Sequence, residues 1–419
     1  MKRLSLVVIF FFMSEIVFGQ NIAQRLGDTY EFYKEKSITQ QRFKHKDIQP
    51  LLEKAKANAA FEVSQIGKSF EGRSISQLKY GKGAPSVLLW SQMHGDEATA
   101  TMAMLDIFNF LSATGDGFDD FRKKIFENST LYFVPMLNPD GAERFQRRTA
   151  QEIDMNRDAL RLQCPESQLL KKLQNTIKPA IGFNLHDQSP RYSAGTTKNL
   201  AAVSFLATAY DYPRTINSVR ERAMKLIVGM NKTIQQFAPN MVGRYSDEHE
   251  PRAFGDNIAK WGTSVILVES GGYKNDPEKQ FIRKLNYVSI LTALQVIAEG
   301  AYNKENRADY DKIPQNEKLH FDLLIRNARI EINGQSYVTD VGINRIERNR
   351  NEATTFVYES IIEDFGDLSI FYGVEELDAK GAIIIDDKNN AIVPKLKDAA
   401  TFLLKKDKQI TTIENGFVK

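Results

Sequence analysis

Four short runs of the chain are apolar almost throughout instead of alternating with polar residues: SVLLW at 86–90, TLYFVPML at 130–137, AIGFNLH at 180–186 and SVILVES at 264–270. A strand that alternates keeps one face in water, whereas a strand that is apolar at successive positions must be covered on both faces. Between these runs lie segments with apolar residues at helical spacing, such as ATATMAMLDIFNFL at 98–111. Strands of this kind alternating with helices predict an α/β fold: a mixed, mostly parallel sheet with helices on both faces. Ahead of it, IQPLLEKAKANAAF has helical periodicity, and FEVSQIGKSFEGRSISQLKYGKG reads as a hairpin turning at SFEGR.

The rhythm changes after the helical segment KLNYVSILTALQVIAEGAY. Residues 303–318 are charged, contain Pro314 and lack periodicity, which predicts a linker. Residues 319–419 show short strand patterns separated by NG, GD and KG turns, with a helical pattern only at KLKDAATFLLKK, and predict a small C-terminal β-rich domain. At the other end, Lys2 and Arg3 precede an apolar run over 4–13, with Val17 and Gly19 ahead of Gln20. That is the pattern of a secretory signal peptide over 1–19. The run is shorter than the roughly 20 apolar residues a bilayer span needs, so no stable membrane insertion is expected after cleavage. The expected product is exported, to a periplasm or beyond the cell, with its main α/β domain over 20–302.

With 56 Lys+Arg against 53 Asp+Glu and no basic stripe, the chain lacks the electrostatic footprint of a nucleic-acid binder. Cys164 is the only cysteine, so no internal disulfide forms; in RLQCPES, with no His nearby, it reads as an inert thiol.

Chemistry is concentrated in few residues. Of five histidines, His94 forms His-x-x-Glu with Glu97, just after SVLLW and at the start of a helix, where residues three apart can share a face. Chance alone gives such a pair about 0.3 times in a chain with five His, so the pair by itself is a weak signal. His186 strengthens it, because it ends another strand run, and ligands of open α/β sheets bind outside the carboxyl ends of strands. Two His and one Glu are a ligand set of catalytic zinc, which keeps its fourth position for water. Glu269 ends a third run before Ser270-Gly271-Gly272, where a carboxylate can reach such a water and take its proton.

The segments MHGDEATAT, LNPDG, FQRRT, DMNRD, GFNLHD and ILVESGG occur in that order between residues 60 and 300. Together they resemble the zinc metallocarboxypeptidases, the enzymes of the carboxypeptidase A fold, with MHGDE closest to the carboxypeptidase E and D branch. The resemblance implies one zinc ion per chain, held by His94, Glu97 and His186, and a peptide substrate with a free carboxyl end. It implies Glu269 as general acid and base, Asn156 and Arg157 as the pair that binds the terminal carboxylate, and Asp154 as the carboxylate that orients His94. Arg147 matches the arginine that stabilises the oxyanion, with Arg148 as the alternative one residue on. Tyr245 is the match for the tyrosine that closes over the substrate, although its spacing to Glu269 is irregular. Asp96 stands where carboxypeptidase A has an Arg, and either Phe254 or Asp256 is expected to line the side-chain pocket. Members of the E and D branch also carry a β domain after the catalytic one; no residues match there, and the sequence names no partner for the tail. Two other readings stay open: a zinc amidase or endopeptidase acting on cell-wall peptides, and a non-catalytic binding module on the same scaffold.

Overall fold

A computed structural model describes residues 21–419. The expected signal peptide over 1–19 lies outside the described residues. Strands β1 (Phe61–Lys68), β2 (Ser74–Gly81), β3 (Ser86–Trp90), β4 (Thr130–Val134) and β5 (Ile181–Asp187) share one eight-stranded sheet with Ser264–Ser270, Val203–Ala207 and Val242–Arg244. The spatial order is β1-β2-β4-β3-β5, followed by those last three in the order given. The four central strands, β4, β3, β5 and Ser264–Ser270, pair in parallel; β1, β2 and Val203–Ala207 join antiparallel.

Successive side chains of a strand point to opposite faces, and both faces of β3 are covered. Val87 and Leu89 enter one core cluster with Met102, Ile107 and Leu291, from the helices Thr99–Ser112 and Gln280–Ala298. Leu88 and Trp90 enter the other, with Leu170 and Ile258 from the helices Pro165–Ile177 and Phe254–Lys260. This is the mixed sheet with helices on both faces that the apolar runs predict. Cys164 caps the second of these faces; it is fully buried, and burial pushes its thiol up to about 12. None of the described helices is long and apolar enough to cross a membrane.

Residues 303–318 are held against the first sheet instead of running free. Tyr310 and Ile313 are buried in its core, the Tyr310 hydroxyl accepts a bond from Ala207 N at 3.0 Å, and Asn316–Glu317 pairs with Ser193–Ala194. A second eight-stranded sheet then spans His320 to Val418. Its longest pair is the hairpin Gln335–Arg350 and Thr355–Gly366. The helix expected at KLKDAATFLLKK is not formed: Phe402–Lys406 is a strand between Ile383–Ile385 and Gln409–Glu414. Phe402 and Leu404 alternate into the core of this sheet, and Lys397 adopts a left-handed backbone that breaks any helix. Leu, Lys and Ala are good helix formers, but propensity is a weak preference per residue, and cross-strand burial outweighs it.

Candidate metal centre

The carboxyl ends of β3, β5 and Ser264–Ser270 meet at one edge of the first sheet. After β3 the chain turns sharply at Gln92, which has φ 46°, and His94 follows. Gly95 then packs against the backbone of Gly141: a Cβ at residue 95 would lie 2.0 Å from the Gly141 carbonyl carbon. The glycine of MHGDE is thus required by this close approach, while that of LNPDG makes room for the Asn138 side chain and the Arg148 carbonyl, 2.5 and 2.8 Å from where its Cβ would lie.

His186 sits in β5 directly opposite Glu269 in the parallel register. Glu97 bridges the two imidazoles: its Oε1 lies 2.7 Å from His94 Nδ1 and its Oε2 lies 2.6 Å from His186 Nδ1. Ligand atoms of His94, Glu97 and His186 all fall within 4.8 Å of one another, and all three residues are buried. They are the one such group of three among the described residues. His45, His249 and His320 are each held elsewhere, by Ser74 O, Asp256 and Lys198 O.

Electrostatics fit a cation at this point. Burial opposes charge on Glu97, but His94 and His186 overcome it and hold the carboxyl well below the usual range. Burial also pulls His94 down, yet Glu97 and Asp154 outweigh it and raise the imidazole to about 9. Burial keeps His186 low. The guanidinium of Arg147 is drawn to the same atoms, with Nη1 at 3.0 Å from His94 Nδ1 and 3.3 Å from Glu97 Oε1. Asp154 accepts from Arg147 Nε at 3.0 Å and faces His94 Nε2 at 3.2 Å, the outward partner that fixes a ligating imidazole. Two Nδ1 atoms and a carboxylate converging in a buried site are the donor set of zinc, and they fit it.

Glu269 is half-buried, its buried Oε2 has no hydrogen-bond partner, and desolvation together with the charge of Glu97 raises its pKa well above the carboxylate range. Two further carboxylates, both half-buried, stand beside the ligands. Asp96 is pushed up to about 6 by burial and by Glu97. Asp187 accepts from Thr99 at 2.6 Å and Lys279 at 3.1 Å.

Farther along, Asn156 N donates to Asp154 at 2.9 Å, and Asn156 Oδ1 accepts from Phe254 N at 2.9 Å. Arg157 adjoins it but faces a carboxylate: its Nε lies 3.1 Å from Glu250 Oε2, and Glu250 also binds Arg252. Nothing in the polar stretch SDEHEPR signals that pairing in the sequence. Arg148 turns away, donating to Glu152 O at 2.7 Å, so of the two arginines only Arg147 reaches the metal ligands. The ring of Tyr245 packs edge-on against Tyr192 at 6.0 Å. Burial, and next the charge of Glu269, raise its phenol pKa, which places it within electrostatic reach of that carboxylate. Phe254 is fully buried in the core; Asp256 accepts from His249 and from Glu250 N.

An open mixed sheet with two histidines, a bridging glutamate and a further carboxylate at its carboxyl edge defines a metal-site protein of the carboxypeptidase fold. Residues 51–187 match the zinc carboxypeptidase family, a span that contains His94 and Glu97 and ends just past His186. Carboxypeptidase 2 of Trichophyton rubrum is 27% identical over 194 residues, 43% of this chain and 35% of that protein. Carboxypeptidase D of Drosophila melanogaster is 32% identical over 127 residues, 26% of this chain and 9% of that protein. The chain thus spans about a third or less of the curated relatives it matches first. Among solved structures, a metallo-carboxypeptidase from Burkholderia cenocepacia superposes with a TM-score of 0.52 at 18% identity, over 62% of this chain and 70% of that one. Bovine thrombin-activatable fibrinolysis inhibitor, in complex with tick carboxypeptidase inhibitor, gives 0.51 at 16% identity, over 65% and 99%. The resemblance to the zinc metallocarboxypeptidases drawn from the sequence motifs therefore stands, and the fold is theirs.

Proposed function

We propose that the protein is an exported zinc metallocarboxypeptidase that removes the last residue of peptides. The observation that carries the reading is the convergence of His94, Glu97 and His186 within 4.8 Å, with Glu269 beside His186 in register. Zinc, when bound, supplies Lewis acidity that polarises a carbonyl and acidifies water. The chain supplies the rest. Arg157 and Asn156 dock the peptide's terminal carboxylate, for which a guanidinium offers two parallel hydrogen bonds. Asp154 keeps His94 oriented. Glu269, whose burial raises its affinity for a proton, takes one from the attacking water and returns it to the departing amine. Arg147, already 3.3 Å from Glu97, donates to the oxyanion that forms on the scissile carbonyl. Tyr245 closes over the terminal residue.

Losing one oxyanion donor costs about 10²–10³ in turnover, so Arg147→Ala is expected to fall by that factor in kcat while Arg148→Ala stays near the parent. The decisive experiment compares one peptide with a free and an amidated carboxyl end. Cleavage of the free form alone supports the proposal. The pairing of Arg157 with Glu250 favours a second reading, an amidase or endopeptidase indifferent to the chain end. Equal cleavage of both forms would establish it in place of the first. Less than stoichiometric zinc in the purified protein, with no cleavage of either, would leave a binding module. Export predicts a mature protein that begins at Gln20, which N-terminal sequencing checks.

A further inference from the structure

The hairpin of the C-terminal sheet is locked onto the first sheet close to the metal ligands. Arg42 is sandwiched between the rings of Phe145 and Phe356, 4.1 Å from each centroid, and its Nη2 meets Glu347 at 2.5 Å. Asn349 donates to the carbonyls of Arg144 and Phe145, both at 3.0 Å, just ahead of Arg147 in the chain. Beneath this roof lies a cavity of about 720 Å³, inside the range of roughly 300–1,000 Å³ typical of ligand sites. Asp96, Glu97 and Asp187 line it from the first sheet, and Tyr358, Val374 and Glu375 from the second.

We infer that the C-terminal sheet is a wall of the substrate site, and that this cavity receives the extended peptide segment upstream of the bond to be cut. The inference rests on the peptidase reading above. A substrate whose terminal carboxylate is on Arg157 and whose scissile carbonyl is at the ligand triad must send its remaining residues elsewhere. The cavity shares Glu97 with the triad but is not lined by Asn156, Arg157 or Tyr245, so it offers contiguous space for them. Its lining also keeps buried polar atoms without partners: Arg42 Nη1, Asp96 Oδ1 and Asp187 Oδ1. Such atoms carry a desolvation penalty that peptide N–H and C=O groups can relieve. The arginines of the lining are already neutralised, Arg42 by Glu347, Arg191 by Asp322 and Arg345 by Glu375. Lys279 likewise pairs with Asp187, so cations and carboxylates are interspersed along the cleft. It selects an unfolded chain through main-chain and ring contacts, not a charged sequence.

The test measures kcat/KM of the zinc-loaded full chain on an N-acylated dipeptide and on a hexapeptide with the same last two residues. Remote binding energy used in the transition state should make the hexapeptide better by about tenfold or more. Val374→Trp, which puts an indole into the cavity, should bring the ratio of the two toward one. Tyr358→Ala, which removes part of the wall, is the second variant in case the first does not fold, and should lower the ratio by about threefold. Equal rates for the two lengths in the parent, or a ratio unchanged in the folded variants, would overturn the inference and leave the peptidase reading intact. Failure to cut either peptide would overturn both.

Discussion

Glu269→Gln is expected to lower peptide hydrolysis by about 10²–10⁴-fold, the usual contribution of a general acid and base, while zinc content stays at the level of the parent. The substitution keeps the shape of the side chain and removes only its capacity to accept and return a proton. Glu269 lies outside the Glu97 bridge between the two imidazoles, so the donor set is untouched. Its Oε2 is buried without a partner, and burial together with the charge of Glu97 raises its pKa well above the usual carboxylate range. Turnover of a free-ended peptide and metal content of the same preparation give the two readouts. Near-normal turnover would place the base elsewhere, and Asp96, next to Glu97 in the chain and raised to about 6, would be the first rival. Loss of zinc would instead make Glu269 a ligand.

The carboxylate could be singled out from the sequence because its strand is apolar on both faces and stops at Glu-Ser-Gly-Gly, so the candidate base marks the end of a readable pattern. His186 was legible for the same reason, and the register of β5 with Ser264–Ser270 then sets the two side by side. Contacts set by the approach of loops left no such mark. The pairing of Arg157 with Glu250, the lysine at 279 that neutralises Asp187 and the stack of Phe145, Arg42 and Phe356 all join segments far apart in the chain. Each depends on where helices and loops cross, which periodicity does not encode. The tail shows the same limit from the other side. KLKDAATFLLKK is rich in helix formers, and only its pairing partners, Ile383–Ile385 and Gln409–Glu414, make a strand of its second half. That the tail reaches over the metal ligands follows from the packing of its long hairpin alone.

Arg283→Ala is expected to destabilise the protein by about 3–5 kcal/mol, the cost of leaving one member of a buried ion pair uncompensated. Arg283 and Asp106 are both fully buried and meet in a fork, Nε to Oδ2 at 2.7 Å and Nη2 to Oδ1 at 2.5 Å. The remaining guanidinium donors serve Ile38 O, Glu35 O and Gln280, and Asp106 also accepts from Tyr30 and from Glu35 N. The pair thus ties the N-terminal segment to the helices Thr99–Ser112 and Gln280–Ala298. Removing the guanidinium strands a buried carboxylate and two backbone carbonyls together. Breaking a buried pair and replacing it are different experiments, because the desolvation penalty of both charges is recovered when both are removed. Arg283→Met combined with Asp106→Leu should therefore lose much less than the sum of the single changes, a coupling that a denaturant-melt double-mutant cycle reads directly. The helix that carries Asp106 starts two residues after Glu97, so the single variant should also bind zinc less tightly near its unfolding midpoint. A single variant within about 1 kcal/mol of the parent, the range of exposed pairs, would show that water or a neighbouring group reaches Asp106 and that the pair is not the tie the geometry describes.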